Sequence, residues 1–118
     1  MKRKWLLVII SAFLCVWVFS VVQAAVLTKL HGQEFSDPES VGCDWLQGYW
    51  TETPELRVLR YSKNRAVVYY YFSDYGEKNV FVKRDGQWEF EDTVANWTDA
   101  GGSADNYLIW PYWKNLVI

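Results

Sequence analysis

Histidine occurs once in this chain of 118 residues, methionine once, proline three times and cysteine twice, and each scarcity removes a class of chemistry. A single His31 cannot build a His-rich metal centre. Cys15 sits in an apolar leader, so Cys43 stands alone in the rest of the chain and no internal disulfide framework can form. No glycine-rich phosphate loop, metal-ligand spacing or nucleophile motif is present. Basic clusters are also missing beyond Lys2-Arg3-Lys4. The leader takes three of the twelve basic residues and none of the fourteen acidic ones, so residues 25–118 carry a net charge of −5. That balance argues against nucleic acid and anionic lipid as partners, both of which demand clustered Lys and Arg.

The leader itself is a strong signal. Lys2-Arg3-Lys4 precedes an apolar run from Trp5 to Val22, broken only by Ser11 and Ser20, and Val22-Gln23-Ala24 offers the short side chains a signal peptidase selects. Cleavage is expected after Ala24, with Ala25 as the next choice. The alternative is an uncleaved anchor over residues 5–22, because a run of this length approaches what spans a bilayer. Leu14 stands before Cys15 where a lipoprotein signal carries a small residue, which argues against lipidation. Either way the remainder is expected outside the cytoplasm, periplasmic or secreted. The division is residues 1–24 as leader and 25–118 as one small β-rich domain. Cys43 reads as a buried apolar side chain, with an intermolecular disulfide or a reactive thiol as alternatives.

Ala25 to Phe35 reads as an extended lead-in or a frayed first element. Asp37, Pro38 and Glu39 suit the start of a short helix running to about Leu46, although Gly42 weakens it. Leu56 to Tyr61, Ala66 to Phe72, Asn79 to Arg84 and Gln87 to Glu91 are rich in β-branched and aromatic residues and are separated by turn-forming stretches, so they predict an antiparallel meander. Ala66 to Phe72 is apolar throughout, which requires a central strand covered on both faces. Asp85-Gly86 predicts a type I′ hairpin turn. Thr93 to Trp97 extends this strand or starts another, Thr98 to Asn106 is a loop by composition, and Tyr107 to Trp110 is a final strand ended or confined to an edge by Pro111. The fold class expected is mainly β, an antiparallel meander curled toward a half or full barrel, with one short helix before it.

Leu46-Gln47-Gly48-Tyr49-Trp50, following a short helix and preceding a meander, resembles the opening of lipocalin-like barrels. The resemblance implies a structural role for Gly48 and Trp50, and no ligand follows from it.

Four groups could carry chemistry. His31 and Cys43 could form a thiolate dyad. Glu89, Glu91 and Asp92 could supply paired carboxylates, though neighbours on one strand face do not span a cleft as hydrolytic pairs must. Asp99, Ser103, Asp105 and Asn106 offer oxygen ligands without the spacing of a calcium loop. Asn96-Trp97-Thr98 matches a glycosylation acceptor. The bland reading, a solvated face or an ordinary loop, is preferred for each, and neither metal nor cofactor is expected. Aromatic density is harder to dismiss: six tryptophans and eight tyrosines follow residue 24, more ring area than so small a domain encloses with ease. The expected function is therefore that of a non-catalytic binding protein with an aromatic-rich surface or cavity formed by Trp97, Tyr107, Trp110, Tyr112, Trp113, Tyr69 and Tyr71. Its partner would be a small molecule, a glycan or an envelope protein, with the membrane engaged only through an uncleaved leader. An envelope protein-interaction or inhibitor module and a small hydrolytic enzyme are the alternatives.

Overall fold

A computed structural model describes residues 2–43, 46, 54–72, 75–98, 108–113 and 117. Helix α1 (Lys2–His31) leads into two short 3-10 turns (Gly32–Phe35 and Pro38–Val41) and six strands: β1 (Glu55–Tyr61), β2 (Arg65–Tyr71), β3 (Tyr75–Arg84), β4 (Gln87–Thr98), β5 (Leu108–Ile109) and β6 (Tyr112–Trp113). Strands β1 to β4 form one antiparallel sheet in sequence order, and β5 pairs with β6.

The meander forms where its residue pattern places it. Asp85 and Gly86 both take positive φ, 53° and 78°, and join β3 to β4, the geometry whose twist matches paired strands. β4 runs without interruption from Gln87 to Thr98, so Thr93 to Trp97 extends it. Two register shifts in the β3–β4 pair leave Val94 and Glu91 as extra residues, and a third displaces the β1–β2 register at Leu59. Such bulges curl a sheet, but here the curl stops short of closure. β1 and β4 are the two edges, so the described strands form an open four-stranded antiparallel sheet, and closure into a full barrel is not seen among them.

Helix and strand contribute comparable shares of the described residues, so the class is mixed α and β rather than mainly β. The added helix is α1, which continues through Ala24 to His31 where an extended lead-in was expected. It is long and apolar enough to cross a membrane. Within the stretch expected as a short helix to about Leu46, Pro38–Val41 forms a 3-10 turn, Gly42 turns the chain at φ 92°, and Leu46 is again helical. Gly48 and Trp50 lie outside the described residues.

Side chains alternate across the sheet and build two cores. On one face Val58, Ala66, Val68, Tyr70, Phe81 and Trp88 pack beneath Phe35, Val41, Cys43 and Leu46. On the other, Tyr69, Tyr71 and Trp97 are covered by Ala24 of α1 and by Ile109 and Tyr112 of the β5–β6 hairpin. Every residue of β2 after Arg65 is buried. Burial of each large side chain contributes roughly 2–3 kcal/mol, so the doubly covered strand dominates stability.

α1 also closes an edge. The Thr28 hydroxyl donates to the Ala24 carbonyl at 2.6 Å and accepts the Val58 amide at 2.8 Å, satisfying an outward-facing N–H of β1 that would otherwise invite another strand. At the opposite end of the sheet Gly76 stands opposite Trp97 in the register, and a Cβ there would collide with the Trp97 indole and the Tyr69 hydroxyl. Gly76→Ala should therefore destabilise the fold by about 2 kcal/mol, read as a lower urea midpoint. An unchanged midpoint would contradict this packing.

Candidate functional site

The structure sorts the aromatic candidates into two groups. Tyr69, Tyr71, Trp97 and Tyr112 are 6 % exposed or less and lie in the second core. The Trp97 Nε1–H donates to the Tyr69 hydroxyl at 2.6 Å, and the Tyr69 ring stacks on Tyr71 and Tyr112 at centroid distances of 5.2 and 6.1 Å. Burial raises the Tyr69 phenol to about 12, against a smaller lowering by Trp97. These four rings are occupied by one another and by α1, and they present no open aromatic face. Trp110 and Trp113 do reach the surface, at 36 % and 51 % exposure. Tyr107 lies outside the described residues, as do Asp99, Ser103, Asp105 and Asn106.

Trp110 belongs to a seam between α1 and the hairpin. Its Nε1–H donates to Ser20 Oγ at 3.0 Å, its ring meets Phe13 edge-on at 5.7 Å, and Trp17 Nε1–H donates to the Pro111 carbonyl at 2.9 Å. Phe13, Trp17, Ser20, Ala24 and Thr28 recur at helical spacing, which is why one face of α1 meets the domain.

Beside this seam runs a groove between α1 and the second face of the sheet. Its wider part, about 880 Å³, is lined by Leu27, Arg60, Arg65, Val67, Lys78 and Val94 among others. A narrower part of about 290 Å³ shares Gln23, Arg60, Val67 and Lys78 with it and reaches Ser20, Trp110 and Pro111. None of its described lining residues is Asp or Glu. Lys78 is half-buried in mid-strand, and burial first, then neighbouring Arg60, lowers its pKa. The arrangement can hold negative charge over an apolar floor.

Two polar clusters on the first face are structural in geometry. Glu34 accepts hydrogen bonds from Trp88 Nε1 at 2.9 Å and from the Tyr61 hydroxyl at 2.9 Å, and its other oxygen lies 3.0 Å from His31 Nδ1. His31 stacks on Tyr61 with centroids 3.6 Å apart. Burial pushes the Glu34 carboxyl upward, but the Trp88, Tyr61 and His31 hydrogen bonds and the His31 charge outweigh it and hold Glu34 below its ordinary value. Deeper inside, Thr93 Oγ1 donates to Asn79 Oδ1 at 2.7 Å, and Asn79 Nδ2 lies 3.6 Å from Cys43 Sγ. Burial, then the charge and hydrogen bond of Glu77, raise Tyr75 to about 12.

His31 and Cys43 are thus engaged with different partners, and the structure does not join them as a dyad. Glu89, Glu91 and Asp92 are exposed, and Glu89 lies 3.7 Å from Arg84. Among the described residues no three His, Cys, Asp or Glu side chains gather as a metal site. Glu34, Arg60, Glu77 and Lys78 were not singled out from sequence. The Glu77-Lys78-Asn79 triplet was the available signal, because three polar residues inside a strand must set at least one charge against a covered face. The chain matches no family model, and no curated protein or solved structure is significantly similar to it.

Two predictions follow from these clusters. The depressed Glu34 pKa means that its stabilising contribution is present above the ordinary 4.5 and is lost as pH falls through the lowered folded value. Glu34→Gln should lower the urea midpoint at neutral pH, with the gap to the native protein closing in acid; an equal gap at both pH values would contradict it. In the second core the buried Tyr112 hydroxyl lies near the Arg57 guanidinium without a well-formed hydrogen bond among the described residues, whereas Tyr69 accepts one from Trp97. Tyr112→Phe should be neutral or stabilising and Tyr69→Phe destabilising by about 1 kcal/mol, and equal losses would refute the distinction.

Proposed function

We propose that the chain is an exported, non-catalytic binding protein that stays tethered to the membrane by α1 and takes its ligand in the groove between α1 and the sheet. The observation that carries this reading is the groove's construction: about 880 Å³ of space with Arg60, Arg65 and Lys78 on its walls and no carboxylate among its described lining residues. Trp110 stands at its narrow end, so one of the expected aromatic residues keeps a place at the site. Tyr69, Tyr71, Trp97 and Tyr112 serve as scaffold, and Trp113 adds an exposed ring on β6. The exposure of Trp113 favours a second reading, contact with an envelope protein.

Retention of the leader is supported by how α1 completes the domain on both sides of Ala24. Trp17, Ser20 and Ala24 hold the hairpin and the second core, while Leu27 packs against the first core and Thr28 closes β1. Cleavage after Ala24 would remove the donor to Pro111 and the acceptor for Trp110. With Lys2-Arg3-Lys4 on the cytoplasmic side, the domain lies outside. The non-catalytic reading is supported by the engagement of His31 with Glu34, of Cys43 with Asn79 and of Glu89 with Arg84.

Two measurements test this reading. Intact mass of protein purified from the membrane fraction should retain residues 1–24; a mature chain beginning at Ala25 would overturn the tether. Val94 is half exposed on the groove wall, so Val94→Phe narrows the groove while sparing both cores. Tryptophan fluorescence with envelope extracts and defined ligands should find binding that this variant abolishes, and binding indifferent to it would overturn the groove as the site.

A further inference from the structure

We infer that the groove receives the phosphate headgroup of an anionic lipid from the bilayer around α1, an assignment that rests on the groove being the binding site. Three observations converge on it. The first is charge. Arg60, Arg65 and Lys78 meet in one groove although residues 25–118 carry a net charge of −5, and among the described residues none of the three forms a salt bridge. Lys78 is half-buried, and a desolvated ammonium beside a guanidinium costs stability that an incoming anion offsets. Phosphate offers several acceptor oxygens, enough to engage more than one of these cations at once.

The second observation is the floor. Leu27, Val67, Val80 and Val94 alternate with the basic groups along the walls, which suits a headgroup carrying glycerol and acyl carbons better than a bare anion. The third is position. The apolar run of α1 ends at Val22, and the narrow part of the groove is bounded by Ser20 and Gln23 of α1 and by Trp110. Ser20 lies just inside the end of that run and Gln23 just beyond it, so the narrow part flanks the segment of α1 that passes from hydrocarbon to headgroups, while the contacts of Trp110 with Phe13 and of Pro111 with Trp17 set the hairpin against the outer part of the apolar run. A lipid reaches this part of the groove by lateral diffusion alone.

The test uses the full chain in neutral detergent micelles, read by tryptophan fluorescence and by chemical shifts of the groove valines. It is titrated with short-chain phosphatidylglycerol, short-chain phosphatidylcholine and glycerol phosphate. The expected result is phosphatidylglycerol binding at least about tenfold tighter than either of the others, weakened about tenfold by Lys78→Met or Arg60→Gln and weakened by added salt. Arg84→Gln, which alters an exposed cation outside the groove, should change nothing, and circular dichroism identifies any variant that has lost its fold. Glycerol phosphate binding as tightly as the lipid would overturn the lipid source in favour of a free phosphate anion. Equal binding of phosphatidylcholine, or indifference to both basic substitutions, would overturn the anionic assignment. If neither anion binds but another ligand does and Val94→Phe abolishes it, the groove stands and the lipid assignment fails; if Val94→Phe affects no ligand at all, both fail.

Discussion

Strand β2 is buried on both faces, and the rest of the molecule is arranged to cover it. Val68 and Tyr70 need one roof and Tyr69 and Tyr71 another, yet among the described residues the sheet has four strands and does not close on itself. The 3-10 turns around Phe35 and Val41 cover the first face. The second is covered by the β5–β6 hairpin together with α1, and this shared duty brings a membrane-length helix into the fold of the domain. Because α1 covers one part of that face and leaves another open, the groove is a by-product of the same constraint.

The polar clusters follow the same logic at smaller scale. Glu34 collects hydrogen bonds from α1, β1 and β4 through His31, Tyr61 and Trp88, so one carboxylate ties the end of the helix to both edges of the sheet. Asn79 and Thr93 satisfy each other between β3 and β4, as buried polar groups must. Lys78 is the exception on the opposite face. Its charge is half-buried with a basic neighbour and no ion-pair partner among the described residues, which sets the groove apart from the two satisfied clusters.

Much of the sheet was legible from residues alone. Asp85-Gly86 specified its hairpin, the apolar Ala66 to Phe72 run specified a central strand, and the need for covers over Tyr69 and Tyr71 followed from that run. What could not be read was closure and depth. Bulges at Leu59, Glu91 and Val94 bend the sheet, but no local pattern says how many strands will share the curl. The density of tryptophan and tyrosine suggested an aromatic surface, whereas pairing brought Trp97, Tyr69 and Tyr112 together as core. The groove escaped notice because Arg60, Arg65 and Lys78 come from three strands and meet only through the register. The continuation of α1 past Ala24 was hidden by the leader pattern itself, which describes how a segment is exported and is silent about what it packs against afterward.

The central claim is that α1 belongs to the folded domain, and the Val58 amide reports on it most directly. In hydrogen-exchange measurements on the full chain, Val58 should be protected comparably to the central Val68, and Thr28→Val should reduce its protection by about tenfold while leaving β2 unchanged. A Val58 amide that exchanges as an open edge in the native chain, with no response to Thr28→Val, would contradict the account.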